Sequence, residues 1–265
     1  LMFAAIYAAL LWNRKPTVGR ILPVALCIGG AMMAKTSGFL VAPAVAFLFL
    51  RKAISDRAHL PKYIGQFAIF GVVCIPLGLW WSVYNYFRWG LPVGYVPRLD
   101  AIPQYVGFRS VWERLFGVRF DQLGSVYMNW GNAPYYEYNV FIGLLKTSVF
   151  GEKTLFTMPS AEPSLINILG YSSSVVLFYS NLCLVILSVL SMIVVKMKKL
   201  RIGEKGEGSF FFLVWAVILG MYVMFCFNYP HTCTQDFRYA VPTLLAGLIF
   251  FGKFIEYAEH TGKMK

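Results

Sequence analysis

The sequence predicts an all-α polytopic membrane protein with about seven transmembrane or half-membrane helices and a large extracytoplasmic loop carrying interfacial helices. Three observations predict it. The chain is 58% hydrophobic and 17% aromatic with a mean hydropathy of +0.61, well above an ordinary soluble domain. Its apolar runs have the length of spans or half-spans and alternate with polar connections. Its basic residues are clustered: fifteen of 24 fall in residues 13–20, 51–62, 196–208 and 253–265, which marks these segments as the cytoplasmic side. The long segment 87–164 holds seven basic and six acidic residues, the balance expected of a loop on the opposite face. In a soluble protein the net charge of +12 would suggest nucleic acid or acidic lipid; here its distribution reports topology, and no nucleic-acid partner is expected.

Three segments follow: residues 1–86 with transmembrane helices, including a short-helix hairpin at 21–50; residues 87–164 as the extracytoplasmic loop; residues 165–265 with three transmembrane helices and a cytoplasmic tail. Residues 1–12 read as the tail of a span. They lack a basic n-region and a cleavage site and so are not a signal peptide; the chain reads as a C-terminal fragment of a longer protein. The basic turn 13–20 is inside. The apolar block 21–50 is interrupted by Lys35-Thr36-Ser37-Gly38 and followed by a second basic segment, so both of its ends are inside. It must go in and return, with about 14 residues or roughly 21 Å per arm, against a hydrocarbon core about 30 Å thick. The break then lies below the outer surface, where irregular backbone survives only against protein or a water-filled cavity. Lys35 points into that cavity, and a phosphate is the natural partner of such a cation. The alternative is a Lys snorkelling from one tilted span.

Residues 63–86 run outward and end in the aromatic stretch WWSVYNYFRW, suited to an interfacial belt. The following loop is too polar to span and too aromatic for a solvated linker. Within it, 109–120 places Val111, Trp112, Leu115 and Phe116 at helical spacing, with Arg109, Glu113 and Arg114 elsewhere on the surface; 135–150 forms a second amphipathic helix ending at Gly151-Glu152-Lys153. Lys146 in this second helix faces acidic headgroups or a substrate phosphate. Residues 165–195 return inward, 210–227 go out and 241–255 come back.

Cys27, Cys74, Cys183 and Cys226 lie in apolar runs, Cys233 alone in a polar connection, and His59, His231 and His260 are scattered. No disulfide framework or histidine-based metal centre is visible. Phosphate loops, HExxH and GxSxG are absent. The remaining signal is Lys35, the aromatic loop and the polar island 228–242, NYPHTCTQDFRYAVP, between two apolar segments. Arg238 suits a phosphate or a carboxylate, and Asp236 is equally its structural partner. Tyr229 stacks on a sugar or anchors at the interface. His231 can relay a proton near neutral pH. No residue is assigned as catalytic.

These stretches resemble the polyprenyl-phosphate-dependent glycosyltransferases of the GT-C superfamily, in particular the bacterial family 39 group related to protein mannosyltransferases and aminoarabinose transferase. The likeness rests on AMMAKTSGFLVAPA with its central Lys35, FIGLLKTSVFGE with Lys146, and QDFRYAVPTL with Arg238. It implies a multi-pass protein of the bacterial plasma membrane with an extracytoplasmic active site. There a sugar passes from a polyprenyl-phosphate donor to a lipid, glycan or protein acceptor among membrane lipids. It also implies phosphate contacts at Lys35 and Arg238. In that family a carboxylate of the first outer loop acts as base or metal ligand; that loop would precede Leu1. The fragment is expected to be inactive alone. No cofactor is assigned to it, and the resemblance leaves room for a divalent metal in the full-length protein. Asp236 and Glu137 are the in-chain carboxylates that could substitute. The competing expectation is a transporter or flippase of a lipid-linked or anionic substrate, for which a broken helix with a midplane Lys is also expected.

Overall fold

The structure is a computed structural model that describes residues 1–95, 104–124, 137–150 and 165–261. The protein is an all-α membrane protein. Among the described residues there is no strand, only an isolated antiparallel bridge between Tyr105 and His231. Nine α-helices are described: α1 (Met2–Arg14), α2 (Val18–Ala34), α3 (Ala42–Ser55), α4 (Leu60–Trp89), α5 (Val111–Phe116), α6 (Val140–Phe150), α7 (Leu165–Met197), α8 (Glu207–Asn228) and α9 (Thr243–His260), with a 3₁₀ segment Thr36–Val41 leading into α3.

Among the described residues four stretches are long and apolar enough to cross a membrane, Thr36–Ser55, Arg57–Trp89, Ile168–Met197 and Glu207–Asn228; a fifth is reached if Thr232–Tyr239 and α9, bent by 55°, count as one span. The expectation of about seven also counts half-membrane helices; α1, of 13 residues, and α2, of 17, reach about 20 and 26 Å at 1.5 Å per residue, short of a full crossing.

The chain divides into two compact units, each discontinuous in sequence. Unit 1 comprises Leu1–Pro97, Val195–Met221 and Pro242–Lys265; unit 2 comprises Arg98–Val194 and Tyr222–Val241. This grouping cuts across the three consecutive segments that hydropathy alone suggests.

Unit 1 is built on α1, α2, α3 and α4. Pro43 and Pro61 stand at the first turns of α3 and α4, where their missing N–H groups leave no intrahelical bond unmade. Its core centres on Trp12, fully buried, whose ring meets Phe49 edge-on at 4.6 Å. An indole N–H inside an apolar bundle must find an acceptor. Trp12 Nε1 donates to Gln66 Oε1 at 2.6 Å, which accounts for the buried Gln66 in an otherwise apolar helix. At one end of this unit three of the four basic segments meet. Arg14 pairs with Glu207 at 3.2 Å, Lys52 Nζ donates to the Asn13 carbonyl at 3.1 Å, and Arg20 donates to the Leu11 carbonyl at 2.7 Å. In the turn between α3 and α4, the Tyr63 hydroxyl donates to Asp56 at 2.6 Å. That bond, reinforced by His59, holds the Asp56 carboxyl below the usual range.

Unit 2 contains α5, α6, most of α7 and the end of α8. α5 starts at a capping box: Ser110 Oγ accepts from the Glu113 N–H at 3.2 Å and Glu113 accepts from the Ser110 N–H at 2.9 Å. These bonds hold the Glu113 carboxyl below its ordinary value. The helix is shorter than the spacing over 109–120 suggested, and Arg114 corrects its expected orientation. Val111, Trp112 and Phe116 are exposed, whereas Arg114 is turned inward and buried. α6 begins at Val140, later than expected, because Asn139 caps it: its Oδ1 accepts from the N–H groups of Phe141 and Ile142, both at 3.0 Å. The expected stop at 151–153 and the expected start at 135–136 lie outside the described residues.

Candidate functional site

Two places hold the residues singled out by the sequence, one in each unit. In unit 1, α2 stops at Ala34. Lys35 then takes an extended conformation (φ −156°, ψ 130°) with its N–H bonded to the Ala31 carbonyl, and its own carbonyl accepts from Gly38 N–H at 2.7 Å. Gly38 closes the turn by contact. A Cβ there would lie 2.3 Å from the Ala31 carbonyl carbon and oxygen, so the backbone of the 3₁₀ segment rests directly on α2 and only glycine fits. Lys35 is exposed at this break. The arms differ from the expected pair of about 14 residues: α2 has 17 and the return arm, Thr36–Ser55, has 20. The second arm alone is long enough to cross.

In unit 2, α8 ends at Asn228 and the island continues through two 3₁₀ turns, Thr232–Thr234 and Phe237–Tyr239. Residues 104–106 pair with it. Val106 N–H donates to the Pro230 carbonyl at 2.8 Å and Thr232 N–H to the Gln104 carbonyl at 3.0 Å. The Tyr105 and His231 rings meet edge-on at 5.5 Å, so His231 is largely buried, packed on an aromatic ring. The Tyr229 ring lies tilted against Phe225, 5.2 Å between centres, and its carbonyl accepts from the Thr234 hydroxyl at 2.8 Å. Asp236 and Arg238 are partners: Asp236 accepts from the Arg238 backbone N–H at 2.8 Å, and the guanidinium lies 3.2 Å from its second oxygen. The Arg238 head extends over Tyr239, 5.3 Å from the ring centre, and stays exposed.

α6 holds the island from beneath. Thr147 Oγ1 accepts from the Phe237 N–H at 2.9 Å and lies 3.1 Å from the Gln235 carbonyl. A Cβ on Gly143 would lie 2.3 Å from Gln235 Oε1, so the fully buried Gln235 side chain fills the space that glycine leaves. Lys146 shares this inward face. Its ammonium pairs with Glu137 at 2.9 Å, both side chains almost fully buried, and donates to the Gln122 carbonyl at 2.7 Å. Lys146 is therefore buried against Glu137 instead of open to an acidic headgroup, the first of its two expected partners; its face of α6 carries Val140, Gly143, Thr147 and Phe150, all buried. Burial lowers its pKa below the ordinary lysine value, and the Glu137 charge works against that shift.

No protein-family model, curated protein or solved structure matches this chain. Residues and geometry therefore carry the functional reading.

Sequence reasoning missed Arg114, the most deeply placed guanidinium described. It donates to the Cys226 carbonyl at 2.8 Å and lies 4.5 Å from the centre of the Phe227 ring. Cys226 is in the last turn of α8, where carbonyls lack intrahelical donors and a cation is favoured. Desolvation lowers the Arg114 pKa. Thr147 and Gly143 were missed as well. Their spacing of four on one helix face was the available signal, since small residues at that interval permit close approach. Among the described residues no group of three or more His, Cys, Asp or Glu could hold a metal ion.

Chemically, the two places differ. The Lys35 break offers an exposed lysine whose backbone is held by main-chain bonds. The island offers Arg238 with a carboxylate beside it, on a turn anchored by α6.

Proposed function

We propose that the protein is a membrane glycosyltransferase that moves a sugar from a polyprenyl-phosphate-linked donor to a lipid, glycan or protein acceptor, on the extracytoplasmic face of a bacterial plasma membrane. The observation that carries this reading is Lys35, exposed at a helix break held shut by the Gly38 contact. When the glycosidic bond of such a donor breaks, the departing lipid phosphate gains negative charge. A cation tethered to a backbone position that is already set stabilises that charge with less reorganisation at the moment of reaction. Within unit 2, Arg238 is a phosphate-side candidate in its own right; its guanidinium fork suits a phosphate in place of its resting partner Asp236. The orientation is supported by the meeting of segments 13–20, 51–62 and 196–208 at one end of unit 1.

The test is sugar transfer from radiolabelled polyprenyl-phosphate sugars by the native full-length protein in membranes, comparing wild type with Lys35→Ala. Loss of a fixed charge-stabilising donor predicts a fall in transfer of about 10²–10³-fold, with insertion unchanged. Undiminished transfer by Lys35→Ala would remove the phosphate role. A broken helix bearing a cation also suits a transporter or flippase; substrate flux without transfer, abolished by the same substitution, would favour that reading.

A further inference from the structure

We propose that the basic end of unit 1 is a binding surface for anionic phospholipid headgroups. The proposal is independent of the sugar-transfer reading. Segments 13–20, 51–62 and 196–208 together carry twelve basic and three acidic side chains, so nine of the net +12 charges are concentrated in these 33 residues. Their proximity is built in. The Arg14–Glu207 ion pair joins the first segment to the third, Lys52 donates to the Asn13 carbonyl and joins the second to the first, and Arg51 lies against Gly206. A Cβ on Gly206 would overlap the Arg51 guanidinium, and its backbone is left-handed at φ +98°, so glycine alone lets the loop rest on that side chain.

These contacts involve Arg14, Arg51 and Lys52. Lys15, Lys62, Lys198 and Lys205, in the same three segments, are exposed. Apolar side chains adjoin them in the chain: Ile64 is 56% exposed and Met197 74% exposed. A free anion has no use for such neighbours, whereas a phospholipid places its headgroup on the lysines and its acyl chains on the apolar side chains. Clusters of Lys and Arg at the end of a membrane helix attract anionic headgroups through just this charge complementarity. We therefore commit to a phospholipid rather than to soluble phosphate.

The experiment uses the purified full-length protein in nanodiscs of phosphatidylglycerol, of phosphatidylcholine, or of an equimolar mixture, with retained lipid counted by native mass spectrometry and thermal unfolding followed in parallel. Enrichment of phosphatidylglycerol from the mixture and a higher unfolding temperature in its discs are expected. Both should fade in about 0.5 M salt, where the Debye length shrinks to roughly 4–5 Å. Combining Lys15→Glu, Lys62→Glu, Lys198→Glu and Lys205→Glu should reduce the enrichment by about tenfold or more, since each charge near the surface contributes to attraction. If that variant does not insert, the four Lys→Gln changes and the salt series on wild type decide the matter. Retention in the proportions of the mixture, insensitivity to salt, or equal stabilisation by inorganic phosphate in phosphatidylcholine discs would each overturn the proposal.

Discussion

Two lysines sit inside apolar stretches of this chain and meet opposite fates. Lys146 is on a continuous helix, fully buried, with its charge met by Glu137 and its hydrogen bonding extended to the Gln122 carbonyl. Lys35 is at a helix break, exposed, with main-chain bonds fixing the backbone on either side of it. A cation in an apolar run is thus not by itself a site. What separates the cases is burial. In unit 2 the cation is buried and paired with Glu137, and the pair ties α6 to neighbouring loop residues; in unit 1 the lysine is exposed, where an anion from outside can reach it.

The largest expected effect tests the structural half of this contrast. Lys146→Met leaves the Glu137 carboxylate buried without its ion-pair partner and should destabilise the protein by about 3–5 kcal/mol, read as a lower unfolding temperature. Adding Glu137→Gln should restore much of the loss, because a neutral pair leaves no stranded charge. If Lys146→Met were as stable as wild type but inactive in transfer, the two lysines would belong to one functional class after all.

Gly38→Ala tests the other half. Its Cβ would enter the Ala31 carbonyl, and overpacking of that kind costs about 1–3 kcal/mol. The 3₁₀ segment must lift from α2, moving Lys35 with it. Transfer should fall nearly as far as in Lys35→Ala although the cation is still present. Normal transfer would show that the position of Lys35 does not depend on the closed turn.

The contrast was only partly legible in the sequence. The break at Lys35 was readable because Thr36, Ser37 and Gly38 follow it within an apolar block, and the island was readable because its polar residues stand between two apolar runs. The helix lengths around the break were not, since basic residues mark where charge begins and not where a helix ends: α2 starts at Val18 and α3 runs to Ser55, past Arg51 and Lys52. The inward turn of Arg114 was hidden for a different reason. Its acceptor, the Cys226 carbonyl, is 112 residues away, and no local pattern distinguishes an arginine facing water from one facing a distant helix terminus. Lys146 was misjudged on the same ground, because the spacing along α6 does not reveal that Glu137 folds against its inward face.

Smaller effects sharpen the comparison within the island. Thr147→Val keeps the shape of the side chain and removes its hydroxyl, leaving the Phe237 N–H without the acceptor it has at 2.9 Å. A loss of about 1–3 kcal/mol in stability is expected, with a rise in donor KM if Arg238 touches the phosphate, since Phe237 is its immediate neighbour. An increase confined to stability loss, with KM unchanged, would place Arg238 outside the donor contact.

The smallest effect is expected from Asp236→Asn, and it bears most directly on the two readings of Arg238. The amide oxygen can still accept from the Arg238 N–H, so the turn survives, while the charge that faces the guanidinium at 3.2 Å is removed. Because the arginine is exposed, the ion pair contributes no more than about 1 kcal/mol, and unfolding should shift little. Binding gives the sharper result. A carboxylate that competes with the donor phosphate for Arg238 raises KM, so its removal should lower KM; a carboxylate that aims Arg238 at the phosphate does the reverse. A lower KM with turnover retained makes Asp236 the resting partner of Arg238 and excludes it as the essential base, whereas collapse of turnover with the fold intact assigns Asp236 a part in the chemistry itself.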